Sequence, residues 1–275
     1  MSSPIKITEL HIYPVKSLAG ISLKSSELDS MGLKNDRRWM LVSPDGMFLT
    51  QRKFPNMALV STSLDDDRLT LKMDGKPDHH VPAVSASAKT MAVNIWRDTV
   101  VAQIVGDESD AWLSDALGFK CHLVHIAESE VRQCSLDYSK KGDRTGFADA
   151  FPILVISEES LADLNKKLES KGEDAMSMRR FRPNIVVAGC DAFAEDTWKR
   201  LTMGSINMRG VKLCDRCILT TVDPITGKRA GKEPLKTLAE YRKWDNNVYF
   251  GMNIIHEEQG VVAVGDNVNI LSTNI

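Results

Sequence analysis

The sequence predicts an α+β fold dominated by strand. Two observations carry this. Short apolar segments, several alternating with period two, recur along the chain between turns built from Pro, Gly, Asp and Asn, and only three segments space their apolar residues as a helix does. No internal repeat, low-complexity tract or heptad pattern interrupts the reading.

The first hundred residues read as strands. Ile5 to Tyr13 alternates until Pro14 ends or edges the strand. Trp39-Met40-Leu41-Val42 is a short apolar strand, Pro44-Asp45-Gly46 a turn, and Phe48-Leu49-Thr50 the return of a hairpin. Leu59 to Leu64 and Arg68 to Met73 form another pair around Asp65-Asp66-Asp67, and Ala92 to Val105 supplies two more strands. So many short strands suggest a barrel or curved sheet. Asp107 to Leu117 is the first helix, with Trp112, Leu113, Ala116 and Leu117 on one face and Gly118 as its stop. Glu128 to Asp149 is polar and reads as a loop crossing between two halves. Ile153 to Ile156 is a strand of buried type. Ser157 then caps a helix striped by Leu161, Leu164 and Leu168. Ile185 to Val187, Ile206 to Leu213, Ile218 to Val222 and Val261 to Leu271 supply further strands, and Pro234 to Trp244 a third helix.

Composition narrows the function. A chain of 275 residues suggests one large or two small domains, at roughly 100–200 residues each. With 43% hydrophobic and 26% charged residues it can bury a core. A formal charge of −2 and no basic stripe argue against nucleic acid as the main partner. No apolar run reaches the ~20 residues that span a bilayer, and the N-terminus has no targeting character. Five cysteines at irregular spacing fit reduced thiols in the cytoplasm rather than a disulfide framework.

The sharpest motif is Cys214-Asp215-Arg216-Cys217. A structural zinc site would need two more ligands, and no second Cys pair or suitably spaced His pair exists. A thioredoxin-type motif opens a helix, whereas β-branched residues follow here. Both of these carry less weight than two other readings: small buried hydrophobes, or a thiolate metal ligand favoured by the neighbouring Arg216. A lone protein thiolate suits a metal whose other ligands come from a cofactor. A second set of residues, Lys16-Ser17, Arg37 and Arg182 with Asn184, would suit a phosphate if they converged, because Arg offers a planar fork of donors and Lys a point charge. Each taken alone reads as a solvated surface charge. Gly227 to Lys232 lacks the Gly-Lys-Ser/Thr ending of a phosphate loop, and no dinucleotide fingerprint follows any strand. The six histidines form no catalytic arrangement.

The ordered series of motifs resembles the MOSC proteins, named for the C-terminal domain of molybdenum cofactor sulfurase. Within them it is similar to the branch that includes the mitochondrial amidoxime reducing component. The likeness spans nearly the whole chain. It runs through Tyr13-Pro14-Val15-Lys16-Ser17, Met31-Gly32-Leu33, Asp36-Arg37-Arg38-Trp39, Phe181-Arg182-Pro183-Asn184-Ile185-Val186, Ala194-Glu195-Asp196, Trp198, Arg216 to Pro224, Lys232-Glu233-Pro234-Leu235, Phe250-Gly251-Met252-Asn253 and Val264-Gly265-Asp266.

This resemblance implies an N-terminal MOSC-type β-barrel-like domain, residues 4–122, packed on a MOSC β-barrel domain, residues 123–273. Molybdopterin carrying dioxo molybdenum would lie between them. Cys217 would ligate the metal, with Cys214 a neighbour and Arg216 assisting the local charge. Lys16, Ser17, Arg37, Asp149, Arg182 and Asn184 would anchor the cofactor. The implied reaction is two-electron reduction of N-hydroxylated compounds, hydroxylamines or amidoximes, to amines or amidines and water. The mitochondrial members carry a targeting and membrane segment and some bacterial relatives a ferredoxin-like domain. Neither is visible here, so the expected electron donor is a separate flavoprotein, ferredoxin or cytochrome. The same motifs would serve a non-catalytic cofactor carrier, or an anion-binding module without metal.

Overall fold

The computed structural model describes residues 4–229 and 231–274. Among them strand outweighs helix, and the three α-helices are Asp107–Leu117, Glu158–Glu169 and Leu235–Tyr241. The first two fall where the sequence predicts them; the third is shorter than the expected Pro234 to Trp244, because Lys243–Trp244 pairs as a strand with Asn247–His256.

The largest sheet has nine strands. Its order is Val268–Thr273, Trp198–Met203, Ile206–Arg216, Asn247–His256, Ile153–Ser157, Ile185–Ala188, Lys6–Ile12 and Ile21–Leu23, with Lys243–Trp244 attached to Asn247–His256. Pairing is antiparallel except between Ile153–Ser157 and Ile185–Ala188. That parallel pair needs a crossover, which Glu158–Glu169 supplies. Ser157 Oγ accepts the Ser160 N–H, acidic residues fill the first turn and Lys166 and Lys167 the last, in accord with the helix dipole. The inner face buries Leu164 and Leu168 against Phe181, Val186 and Phe250. On the other face Leu10, Ile153, Val155, Ile185, Leu201 and Ile254 form the main core.

A four-stranded sheet joins Trp39–Val42, His122–His125, Asp98–Ile104 and Thr90–Ile95. Two three-stranded sheets complete the strand structure. One of them pairs Ser25–Asp29 with Gly260–Ala263, joining chain segments from opposite ends of the sequence. The expected division between residues 122 and 123 falls at the start of His122–His125, which hydrogen-bonds back to Trp39–Val42. Lys6–Ile12, at the other extreme, sits in the sheet built from the C-terminal half.

Three expectations need correction. Ile218–Thr221 is a 3-10 turn, not a strand. The Thr220 and Thr221 hydroxyls donate to the carbonyls of Cys217 and Ile218 at 3.0 and 2.8 Å, and this local bonding overrides the β preference of the sequence. The β-branched residues after Cys217 therefore do not continue its strand. Phe48 to Thr50 returns irregularly, tied by one bridge to Val42 and by the Leu49 N–H to Leu41. Val261 to Leu271 is two strands with a turn at Gly265.

Candidate functional site

Where the two halves meet, a cleft of about 430 Å³ opens. Every residue expected at the site lines it: Lys16, Ser17, Arg37, Asp149, Arg182, Asn184, Arg216 and Cys217. They arrive from separate segments. Lys16 and Ser17 follow the strand Lys6–Ile12, Arg37 precedes Trp39–Val42, Arg182 and Asn184 precede Ile185–Ala188, and Cys217 follows Ile206–Arg216. Six cationic side chains and two carboxylates line the walls, so the cleft favours an anion.

The backbone is strained where it turns inward. Among the described residues, Ser17, Arg37, Trp96, Arg182 and Phe193 have positive φ without being Gly, Asn or Asp. The first four line the cleft. Each such conformation costs about 1–3 kcal/mol and tends to persist at functional sites.

Lys16 is buried and its ammonium donates to Phe147 O at 2.8 Å and to Asp149 Oδ1 at 2.5 Å. Burial lowers its pKa to about 8, against the pull of the Asp149 carboxylate. Burial would raise Asp149, but Lys16 and Arg52 together hold it well below the usual carboxylate range. The loop from Glu128 can present Asp149 because Arg132, itself buried, bonds the carbonyls of Gly146 and Asp149 at 3.0 and 3.1 Å. Gly146 lets this loop approach Arg37: a Cβ there would lie 2.7 Å from Arg37 O.

Arg37 and Arg182 both stack on the Tyr13 ring, at 4.3 and 4.1 Å. Arg37 Nη1 is spent on Asp36 at 2.6 Å and on Asn184 Oδ1 at 3.1 Å. Asn184 also accepts the Leu154 N–H at 3.2 Å and donates to His11 O at 3.2 Å, so it braces the wall. Arg182 differs: Nη1 donates to Leu18 O at 2.7 Å, while its buried Nη2 has no partner. Burial brings its pKa down to about 10.

Cys217 faces the cleft at the end of its strand. The expected charge partner, Arg216, points its guanidinium elsewhere, to Phe250 O at 2.8 Å and Phe181 O at 2.9 Å. The cation on the Cys217 sulfur is Arg52, whose Nε lies 3.0 Å from Sγ. Cys214 also lines the cleft, and burial raises its thiol pKa. Among the described residues no three His, Cys, Asp or Glu side chains cluster as a metal cage.

The sequence profile of the MOSC N-terminal beta barrel domain matches residues 5–120, and that of the MOSC domain residues 142–269. Human mitochondrial amidoxime-reducing component 1 is 36% identical over 285 residues, covering 96% of this chain and 82% of the relative. The chain belongs to the MOSC family. Bovine mitochondrial amidoxime reducing component 2 is likewise 36% identical over 283 residues, covering 95% of this MOSC protein and 82% of the relative. Among solved structures, the YUAD protein from Bacillus subtilis covers 98% of this chain and 96% of its own, at 12% identity and a TM-score of 0.44.

Two residues of the MOSC cleft escaped the sequence reading. Arg52 bonds Cys217 and Asp149, and Trp96 covers the Arg52 guanidinium at 4.3 Å. One signal was legible. Trp96 occupies the turn between Thr90–Ile95 and Asp98–Ile104, at φ 57°, where Gly or Asn is the ordinary choice. A large aromatic there implies that something outside the turn holds it.

Proposed function

We propose that this MOSC protein binds molybdenum–molybdopterin, in its dioxo form, through the Cys217 thiolate and reduces N-hydroxylated compounds with electrons from a separate redox protein in the cytoplasm. One observation supports the reading above others: the Cys217 sulfur, hydrogen-bonded by Arg52, shares a cleft with a surplus of cations, two of which, Arg182 and Arg216, keep a buried donor without a partner. A buried N–H left unpaired is unfavourable by about 1–3 kcal/mol, so a phosphate oxygen is its natural complement. The donor set fits the cofactor: a soft thiolate for the metal, and hard cationic donors for the phosphate.

In this reading Lys16, Ser17 and Arg182 hold the phosphate, and Asp36 and Asn184 keep Arg37 aimed at it. Cys217 fixes the metal end. Arg216, locked on two carbonyls, holds the strand end that carries Cys217. When bound, the cofactor supplies the two-electron chemistry. Cleavage of the N–O bond takes two electrons and two protons and releases amine or amidine with water. The names of the relatives, amidoxime-reducing components, support this substrate class. All five cysteines are free, which suits a reducing compartment, and no helix among the described residues is long and apolar enough to cross a membrane.

The test is elemental and pterin analysis of protein from a host that makes the cofactor, followed by assay with benzamidoxime and a viologen donor. One molybdenum per chain and turnover that Cys217→Ser abolishes are expected. Molybdenum without turnover would leave only a cofactor carrier, and absence of molybdenum would end the proposal.

A further inference from the structure

We propose that Arg52 is a positioning residue for the Cys217 thiolate, fixing the direction in which the sulfur faces the metal and drawing charge from it through a hydrogen bond. The inference rests on the cofactor assignment made above. Arg52 Nε carries one hydrogen, and at 3.0 Å it is directed at Cys217 Sγ. The other arm of the guanidinium, Nη2, donates to Asp149 Oδ2 at 2.9 Å. The flat face rests on Trp96 at 4.3 Å, and the Arg52 side chain is 20% exposed.

The group is thus held by two directional bonds and one stacking contact, which a flexible ammonium could not reproduce. Its supports are fixed in turn. Asp149 is bonded by Lys16 at 2.5 Å and by Trp96 Nε1 at 3.3 Å. Trp96 leans on Phe48, with ring centroids 5.0 Å apart. A side chain pinned in this way sets the rotamer of the sulfur it bonds. The pairing also crosses between the halves of the molecule, since the two residues lie 165 positions apart.

The electronic consequence follows from general chemistry. Hydrogen bonds to a metal-bound sulfur tune the metal's reduction potential. Density drawn toward the donor weakens the thiolate's donation, so the oxidised metal is less stabilised and the potential rises. Asp149 adds a further link, because the carboxylate that restrains Arg52 also restrains Lys16 at the phosphate end.

The test compares wild-type protein with Arg52→Gln and Arg52→Lys, each purified with cofactor. Molybdenum content, the thermal midpoint, and the Mo(V) resonance during a redox titration are read. The expected result is a folded Arg52→Gln protein that retains most of its molybdenum but has a lower potential and an altered resonance, with Arg52→Lys recovering little of either. An unchanged potential and resonance in a loaded Arg52→Gln protein would overturn the inference. So would a folded variant that loads no molybdenum, since Arg52 would then be an anchor of the cofactor and not a guide for the sulfur. If Arg52→Gln fails to fold, Arg52→Lys decides by the same readings. Wild-type protein without molybdenum would instead refute the cofactor assignment, and this inference with it.

Discussion

The Lys16 ammonium lies 2.5 Å from Asp149 Oδ1, in a wall where the lysine is nearly buried and the carboxylate is half exposed. Burial lowers the lysine to about 8, against Asp149 and together with the nearby Arg132 and Arg52. An ordinary lysine keeps its proton to about pH 10.5, so burial makes this one leave at lower pH. The share of the phosphate-holding charge that Lys16 supplies is therefore half lost near pH 8 and falls further above it, while the arginines keep theirs. Binding of inorganic phosphate to cofactor-free protein is therefore expected to weaken as pH rises from 7 to 9. Lys16→Met should remove that dependence, and titration calorimetry at several pH values checks it. A flat profile in the wild type would detach Lys16 from the anion site.

Arg182→Ala tests one of the two cleft arginines that keep a buried donor without a partner. A charged hydrogen bond contributes about 1.5–3 kcal/mol, or roughly 10–100-fold in affinity. Pterin and molybdenum should fall by that order in the purified variant, while the circular dichroism spectrum is retained. Full cofactor content would remove Arg182 from the site.

Gly251→Ala tests how the strand behind Cys217 is built. Gly251 has φ 83°, and an added Cβ would meet Ile156 Cγ1 at 2.7 Å and Val155 O at 2.8 Å. Overpacking and strain together should cost about 1–3 kcal/mol in a urea titration. Phe250 O seats Arg216, so molybdenum content should drop with stability. A variant as stable as wild type would show that the strand relaxes freely at this point.

The strands and helices were legible wherever a periodic pattern matched a local environment, as in Glu158–Glu169 with its serine cap. Cys217, Lys16 and Arg182 stood out because chemistry-bearing residues sat in short, ordered motifs. Arg52 did not, since its meaning lies in a contact with a sulfur 165 residues away and its neighbours Gln51 and Lys53 carry no pattern. Arg216 was read from its adjacency to Cys217, yet successive strand residues point to opposite faces. Its guanidinium accordingly binds carbonyls, not the thiol. Ile218 to Val222 misled for a related reason: composition favoured a strand, and two threonine hydroxyls closed a turn.

Acid sensitivity should come in part from His125. Burial, helped by Arg38, lowers its pKa from 6.5 to about 4, so the ring stays neutral in the fold while the unfolded chain takes up a proton. The unfolded state binds more protons across that window, and stability is lost as pH falls from 6.5 toward 4. The contribution is on the order of 2 kcal/mol. Replacing His125 with Gln should flatten the dependence of the denaturation midpoint on pH in this range. An identical slope would show that other groups govern it.

The place of Lys6–Ile12 beside Ile185–Ala188 has a practical consequence for anyone wishing to dissect the protein. Scissors applied at residue 122 would not yield two self-sufficient pieces. The rear fragment would carry a naked sheet edge of Ile185, Val186 and Val187, an invitation to aggregate. The front fragment would keep Lys6–Ile12 paired only with the three-residue strand Ile21–Leu23. Circular permutation or split-reporter fusions that keep both partners of this seam in one assembly should succeed where simple truncation precipitates.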